Sequence, residues 1–190
     1  MSWRALLDTT LRAFISDNAD KDVQALALSK SLPEPRALIL DQIKARQKAA
    51  KKMPRWLEHD TIILPASDII EQASSFATAR YKASLLKGKV FADLTAGSGA
   101  DSIALAENFT KGLAVERDET LAGILAHNAP LLTTVPIDIH CASAEEFVQT
   151  MPPVDLAYID PQRRSSNQRG IYKLEECSPN IIALLPHLKT

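Results

Sequence analysis

Cysteine is scarce in this chain: Cys141 and Cys177 stand far apart, with no C-x-x-C pair and no histidine at ligand spacing. That argues against a disulfide framework or a zinc site and predicts no bound metal and a reducing, cytoplasmic setting. Long apolar runs are missing as well. Nothing approaches the ~20 apolar residues of a membrane span, and the opening "MSWRALLDTTLRAF" has neither the apolar stretch nor the cleavage site of a leader. No membrane partner is expected. Neither sign of charge is in surplus: the formal net charge is −1, so any basic footprint has to be local. Repeats and low-complexity segments are absent. What is there, 46% hydrophobic and 24% charged residues over 190 positions, suits a globular protein with a proper core.

The first third reads helical. Leu7, Leu11 and Phe14 recur at helical spacing, as do Val23 and Leu26, then Ile39 and Ile43. "LPEP" (32–35) is a turn before a helix that ends near Met53-Pro54. The second half of that helix carries Lys44, Arg46, Lys48, Lys51 and Lys52, with Arg55 just beyond. It is either a solvated face or a phosphate-tracking patch. Next, "PASDIIEQASSFATARYKASLLKG" predicts one amphipathic helix, capped by Ser67 or Asp68. Its stripe is Ile70, Ala73, Ala77, Tyr81 and Leu85, and Gly88 stands where a left-handed cap belongs. Tyr81 is placed in the core.

From Val90 the texture changes. Short apolar runs at 90–94, 113–116, 137–140 and 155–159 alternate with helical segments near 101–108, 119–128 and 144–150. That alternation predicts a parallel α/β sheet of Rossmann type. Ser178-Pro179 reads as the start of a further helix, and the open edge of the last strand makes the chain look like the front part of something longer. The expected division is an N-terminal helical domain over 1–60 and a sheet domain over 61–190, incomplete at its C-terminus.

Ligands of open α/β sheets bind beyond the carboxyl ends of the strands. In "VFADLTAGSGADSIALA" Asp93 ends the first strand, and Gly97-Ser98-Gly99 turns into a helix whose first N–H groups are unpaired. Glu116 ends the second strand about 20 residues on, the offset at which a carboxylate grips both hydroxyls of a ribose. Asp118 is the cap of the next helix. Ser143 with Glu146 is a capping box in a loop, 142–145, that would border an adenine. A nicotinamide dinucleotide is the poorer ligand: Ser102 occupies the third small position of its fingerprint, and Asp93 would repel a pyrophosphate. A carboxylate there suits the cationic end of S-adenosylmethionine.

Together "DLTAGSG", "VE", "ASAEEF" and "YIDPQRR" resemble the class I, Rossmann-like S-adenosylmethionine-dependent methyltransferases over about 90–164. "AAKKMPRW", "QASSFATARYKA" and "DP-x-RR" more specifically resemble bacterial RNA methyltransferases with an N-terminal helical segment and a THUMP-like domain. That domain would have no room in this chain. The resemblance implies that Asp93, Ala96, Gly97 and Gly99 contact the methionine part of the cofactor. It implies Glu116 for the ribose, Ser143 and Ala144 for the adenine edge, and Thr78 and Lys82 on a helix closing over the methionine end. Asp101 either faces the pocket or answers the helix dipole.

Two departures qualify this. Thr95 replaces the first glycine of the usual loop, and no aromatic follows Asp160-Pro161, where amino-group methyltransferases stack the flipped base. Asp160, Pro161 and Arg163 are the expected catalytic set; Arg163, Arg164 and Tyr172 are the expected substrate contacts, an arginine plane or the tyrosine ring standing in for the missing aromatic. Arg164 pairing with Glu175 or Glu176 is the alternative. The expected activity is methyl transfer to an exocyclic amine of RNA. An RNA-binding module with a vestigial cofactor pocket, and an NAD-dependent oxidoreductase, are the competing readings.

Overall fold

The computed structural model describes residues 2–161 and 173–188. Its N-terminal part is helical: a 3-10 turn at Trp3–Leu7, then α1 (Thr9–Asp17), α2 (Val23–Ala27), α3 (Arg36–Lys52) and a second 3-10 turn at Pro54–Glu58. Aspartates start two of these helices. Asp8 accepts the N–H groups of Thr10 and Leu11, and Asp22 that of Ala25, filling the donors a helix start leaves open. Leu6, Ile15, Leu26, Leu32, Ile39 and Ile43 form one core with Ile63 and Ile124.

The basic half of α3 is neither simply solvated nor free for phosphate. The Lys48 ammonium donates to Ser67 O at 3.0 Å and pairs with Glu71, while Lys52 donates to the carbonyls of Glu71 and Ala73. Lys44, Lys51 and Arg55 stay exposed.

The expected long helix is broken into α4 (Ser67–Gln72) and α5 (Phe76–Ser84). Lys52 caps the carbonyl end of α4, and the Ser75 side chain accepts from Thr78 N to start α5. The predicted stripe holds on α4, where Ile70 is buried and Ala73 packs beside it, and fails on α5: Tyr81 and Leu85 are each 68% exposed, whereas Ala79 and Ala83 are buried. Alanine holds the inner face because α5 lies close on α6, where Ala104, Leu105 and Ala106 join Phe91 and Phe109 in the same cluster. Gly88 is not a left-handed cap either. A Cβ there would stand 2.8 Å from both Asp155 Cβ and the Phe109 ring, so the position serves close approach.

The sheet comprises β1 (Val90–Asp93), β2 (Lys111–Glu116), β3 (Ile137–Cys141) and β4 (Leu156–Tyr158), all parallel, in the order β3-β2-β1-β4. Between the strands run α6 (Ala100–Ala106), α7 (Glu119–Leu132) and α8 (Ala144–Phe147). The Rossmann-like α/β fold expected from the sequence is therefore present. Side chains alternate between its faces, as a two-residue period demands. Ala92, Leu94, Leu113 and Val115 pack on α8 and on α9 (Ile181–Leu188) through Phe147, Val148 and Leu184. Phe91 and Ala114 face α5, α6 and α7 instead. Helix α7 runs past the expected end at Asn128 and through Pro130. Helix α9 starts at Ile181 with Asn180 accepting from Ala183 N, not at Ser178-Pro179; the Ser178 hydroxyl accepts from Arg117.

The stretch joining the helical part to the sheet is held from both sides. Buried Gln42 of α3 bonds both the N–H and the carbonyl of Leu64; buried Asn128 of α7 does the same for Ile63. Among the described residues no helix is long and apolar enough to cross a membrane.

Candidate active site

β1 has β2 on one side and β4 on the other, so the chain changes direction across the sheet at the β1/β4 boundary. At such a switch point the loops after the strands diverge and leave a crevice at their carboxyl ends. Asp93, Glu116 and Asp160 all stand at or just beyond these ends.

The loop after β1 is shaped by its two left-handed glycines, Gly97 with φ 52° and Gly99 with φ 87°. Gly99 N donates to Ala96 O at 2.7 Å, and Ala96 N to Val115 O at 3.0 Å, which ties the turn to β2. A Cβ on Gly99 would lie 2.3 Å from Leu125 Cδ1, while one on Gly97 would meet only Thr95 O at 3.9 Å. Glycine is thus required at 99 by both conformation and packing, and at 97 by conformation alone.

Asp93 lies beneath this loop. It shares Phe91's face of the strand and so points at α6, where the Ser102 hydroxyl donates to Oδ2 at 2.5 Å; Thr95 N donates to Oδ1 at 3.0 Å. Burial pushes the carboxyl up to about 7 against these two hydrogen bonds, with Asp101 and Asp160 adding to the rise.

Glu116 is half-buried, and both its oxygens accept backbone N–H groups, Gly97 at 2.9 Å and Asp118 at 2.8 Å. The loop after β3 adjoins it through Ala142 N and Glu116 O at 3.2 Å. There Ser143 and Glu146 form the expected capping box, and the Ala144 side chain is buried. Asp118 caps α7, as its position suggested.

On the other side of the crevice, Asp160 follows β4. Its N–H donates to Thr95 Oγ1 at 2.8 Å, its carboxylate is half exposed, and Pro161 behind it is buried. Lys82 of α5 reaches over: Nζ lies 3.1 Å from Asp160 Oδ2, 2.7 Å from Tyr158 Oη, 3.2 Å from Asp101 Oδ2 and 3.0 Å from Ser74 Oγ. Burial works against the ammonium, but the Tyr158 bond, the Asp101 charge and the Asp160 bond outweigh it and hold the group above the usual lysine range. Thr78, one turn earlier on α5, is exposed and bonds Ser75.

The fold thus brings Asp93, Ala96, Gly97, Gly99 and Glu116 into one turn and sets Asp160 and Lys82 beside it. Arg163, Arg164 and Tyr172 lie outside the described residues. Sequence reasoning missed Thr95 as an acceptor, Ser102 as the partner of Asp93, and Tyr158. The first two were visible only as departures from a glycine pattern, and the tyrosine gave no local signal. A separate cleft of about 170 Å³, lined by Met53, Trp56, Phe76, Ile103 and Leu132, opens between the helical segment, α5 and α6. It meets the carboxylate cluster only at Ser74. Among the described residues no group of three His, Cys, Asp or Glu side chains gathers as a metal site.

This arrangement has a counterpart among solved structures. A crystal structure described as a "putative methyltransferase from Porphyromonas gingivalis W83" superposes with a TM-score of 0.80 at 27% identity, over 99% of this chain. The chain spans 47% of that protein's length. A "putative RNA methyltransferase" from Pyrococcus horikoshii aligns at 22% identity over 81% of this chain and 63% of its own, but its TM-score of 0.38 carries no argument. No family model and no curated protein matches.

Proposed function

We propose that this chain carries the donor-binding part of an S-adenosylmethionine-dependent methyltransferase acting on a nitrogen of RNA, an exocyclic base amine. The observation that carries the reading is the convergence at the switch point: a left-handed glycine turn bonded to Glu116 on one side and, through Thr95, to Asp160 on the other. The likeness to the Porphyromonas protein supports methyl transfer. RNA rests on the sequence resemblance and on the cations of the 163–173 segment.

The residues fit the donor. The space a side chain at 97 would fill is open, and each Glu116 oxygen accepts one N–H and so keeps a lone pair for a ribose hydroxyl. When bound, S-adenosylmethionine supplies an electrophilic methyl group. Asp160 accepts a hydrogen bond from the substrate amine and aims its lone pair. The acceleration is then mainly positional.

Calorimetric titration with S-adenosylhomocysteine and with NAD tests this. S-adenosylhomocysteine should bind, and Glu116→Ala should weaken it by roughly tenfold or more, the worth of one charged hydrogen-bonding partner. Preference for NAD, or indifference to Glu116→Ala, would overturn the assignment.

A further inference from the structure

The resemblance places Lys82 among the cofactor contacts, but its surroundings point elsewhere. An ammonium has three N–H donors, yet Ser74 Oγ, both Asp101 oxygens, Tyr158 Oη and Asp160 Oδ2 all lie within 3.3 Å of Nζ. Its donors are fully used by protein groups. Three of those groups are anchored: Asp101 is on α6 and mostly buried, with a side chain 15% exposed; Ser74 donates to Asp101 at 3.0 Å; and Tyr158 belongs to β4. Asp160 is the outward member at 50% exposure, and among the described residues its side chain is bonded only through Oδ2.

We infer that Lys82 is a positioning residue: it fixes the Asp160 carboxylate by Oδ2, so that Oδ1 is turned to the substrate amine. This rests on the methyltransferase reading for the identity of that amine, but not for the clamp itself. The fixed positive charge also separates carboxylates that would otherwise repel one another, since Asp93, Asp101 and Asp160 share the site. Lys82 acts as a permanent cation and moves no proton, consistent with the raised affinity of its amine for a proton. Tyr158 and Asp101 set the ammonium's height, and through it the reach of Asp160. The N-terminal flank of the sheet thereby decides where the Asp160 carboxylate stands.

The test uses the full chain and three variants, Lys82→Met, Lys82→Arg and Asp160→Asn. With bulk cellular RNA as methyl acceptor, Lys82→Met should lower kcat by roughly 10–100-fold. KM for RNA and calorimetric S-adenosylhomocysteine affinity should stay within about threefold, and Lys82→Arg should recover much of the rate. A tenfold loss of S-adenosylhomocysteine affinity with kcat kept would make Lys82 a cofactor ligand and overturn the inference. A second readout needs no substrate. In urea unfolding, the Lys82→Met effect should shrink by about fivefold or more in the equilibrium constant when Asp160 is already Asn. Additive effects within about twofold would overturn the clamp even if methyl transfer is found. If no methyl transfer is found but the coupling is present, the proposed function falls and the clamp stands.

Discussion

Asp93 is the residue whose environment departs furthest from its place in the motif. In the loop pattern it reads as an open carboxylate for a cation; in the fold it is buried and holds the turn through Thr95 N and Ser102. Its folded carboxyl lies at about 7 against an ordinary 3.8. A raised value means that its contribution to stability is complete below about pH 4 and lost as pH rises through about 7. Asp93→Asn should therefore gain on the wild type across that interval and run parallel above it. Thermal melts at a series of pH values check this, with an upper bound on the order of 4 kcal/mol for the change. A wild type that loses stability relative to Asp93→Asn as pH falls from about 7 to about 4 would contradict the burial argument. The two glycines separate equally cleanly. Gly97→Ala should cost about 1–2 kcal/mol, the strain of a left-handed alanine. Gly99→Ala adds a collision with the buried Leu125 and should cost more, about 3 kcal/mol.

Among the elements, α5 shows how a helical pattern misleads when small residues do the packing. The largest apolar side chains, Tyr81 and Leu85, drew the predicted stripe, yet the helix turns Ala79 and Ala83 inward. Close approach to α6 leaves no room for more. Ala83→Leu should therefore lose about 1–3 kcal/mol by overpacking, whereas Leu85→Ser should stay within about 0.5 kcal/mol. Urea denaturation of both variants decides between the two stripes. The same helix explains how Lys82 reaches Asp160: turning the alanines inward sets residue 82 toward Asp101 and the end of β4. The break between α4 and α5 has a local part, the Ser75 cap, and a distant one, Lys52 about 20 positions away holding the carbonyl end of α4.

For the whole molecule, the junction at Ile63 and Leu64 ties the helical part to the sheet beside the shared core that Ile124 of α7 joins. Both residues are buried, and their backbone groups are satisfied by the side-chain amides of Asn128 and Gln42. Asn128→Ala strands the Ile63 N–H and carbonyl away from water and should cost about 2–4 kcal/mol. If the junction couples the two parts, far-ultraviolet circular dichroism and the fluorescence of Trp3 and Trp56 should report one transition in wild type. The variant should then show the two signals separating.

The order of strands and helices, the glycine turn, the caps at Asp118 and Ser143, and the acids ending β1 and β2 were all legible in the chain. Each rests on local chemistry: a period of two or 3.6, a φ only glycine adopts readily, a side chain reaching its own helix start. Which way those groups face was settled by tertiary contacts alone. Lys82 joins Asp160 across 78 positions, Asn128 joins Ile63 across 65, and Asp93 is buried because α6 folds over it. Local sequence carries no trace of such pairings, because their energy appears only when distant segments exclude water together.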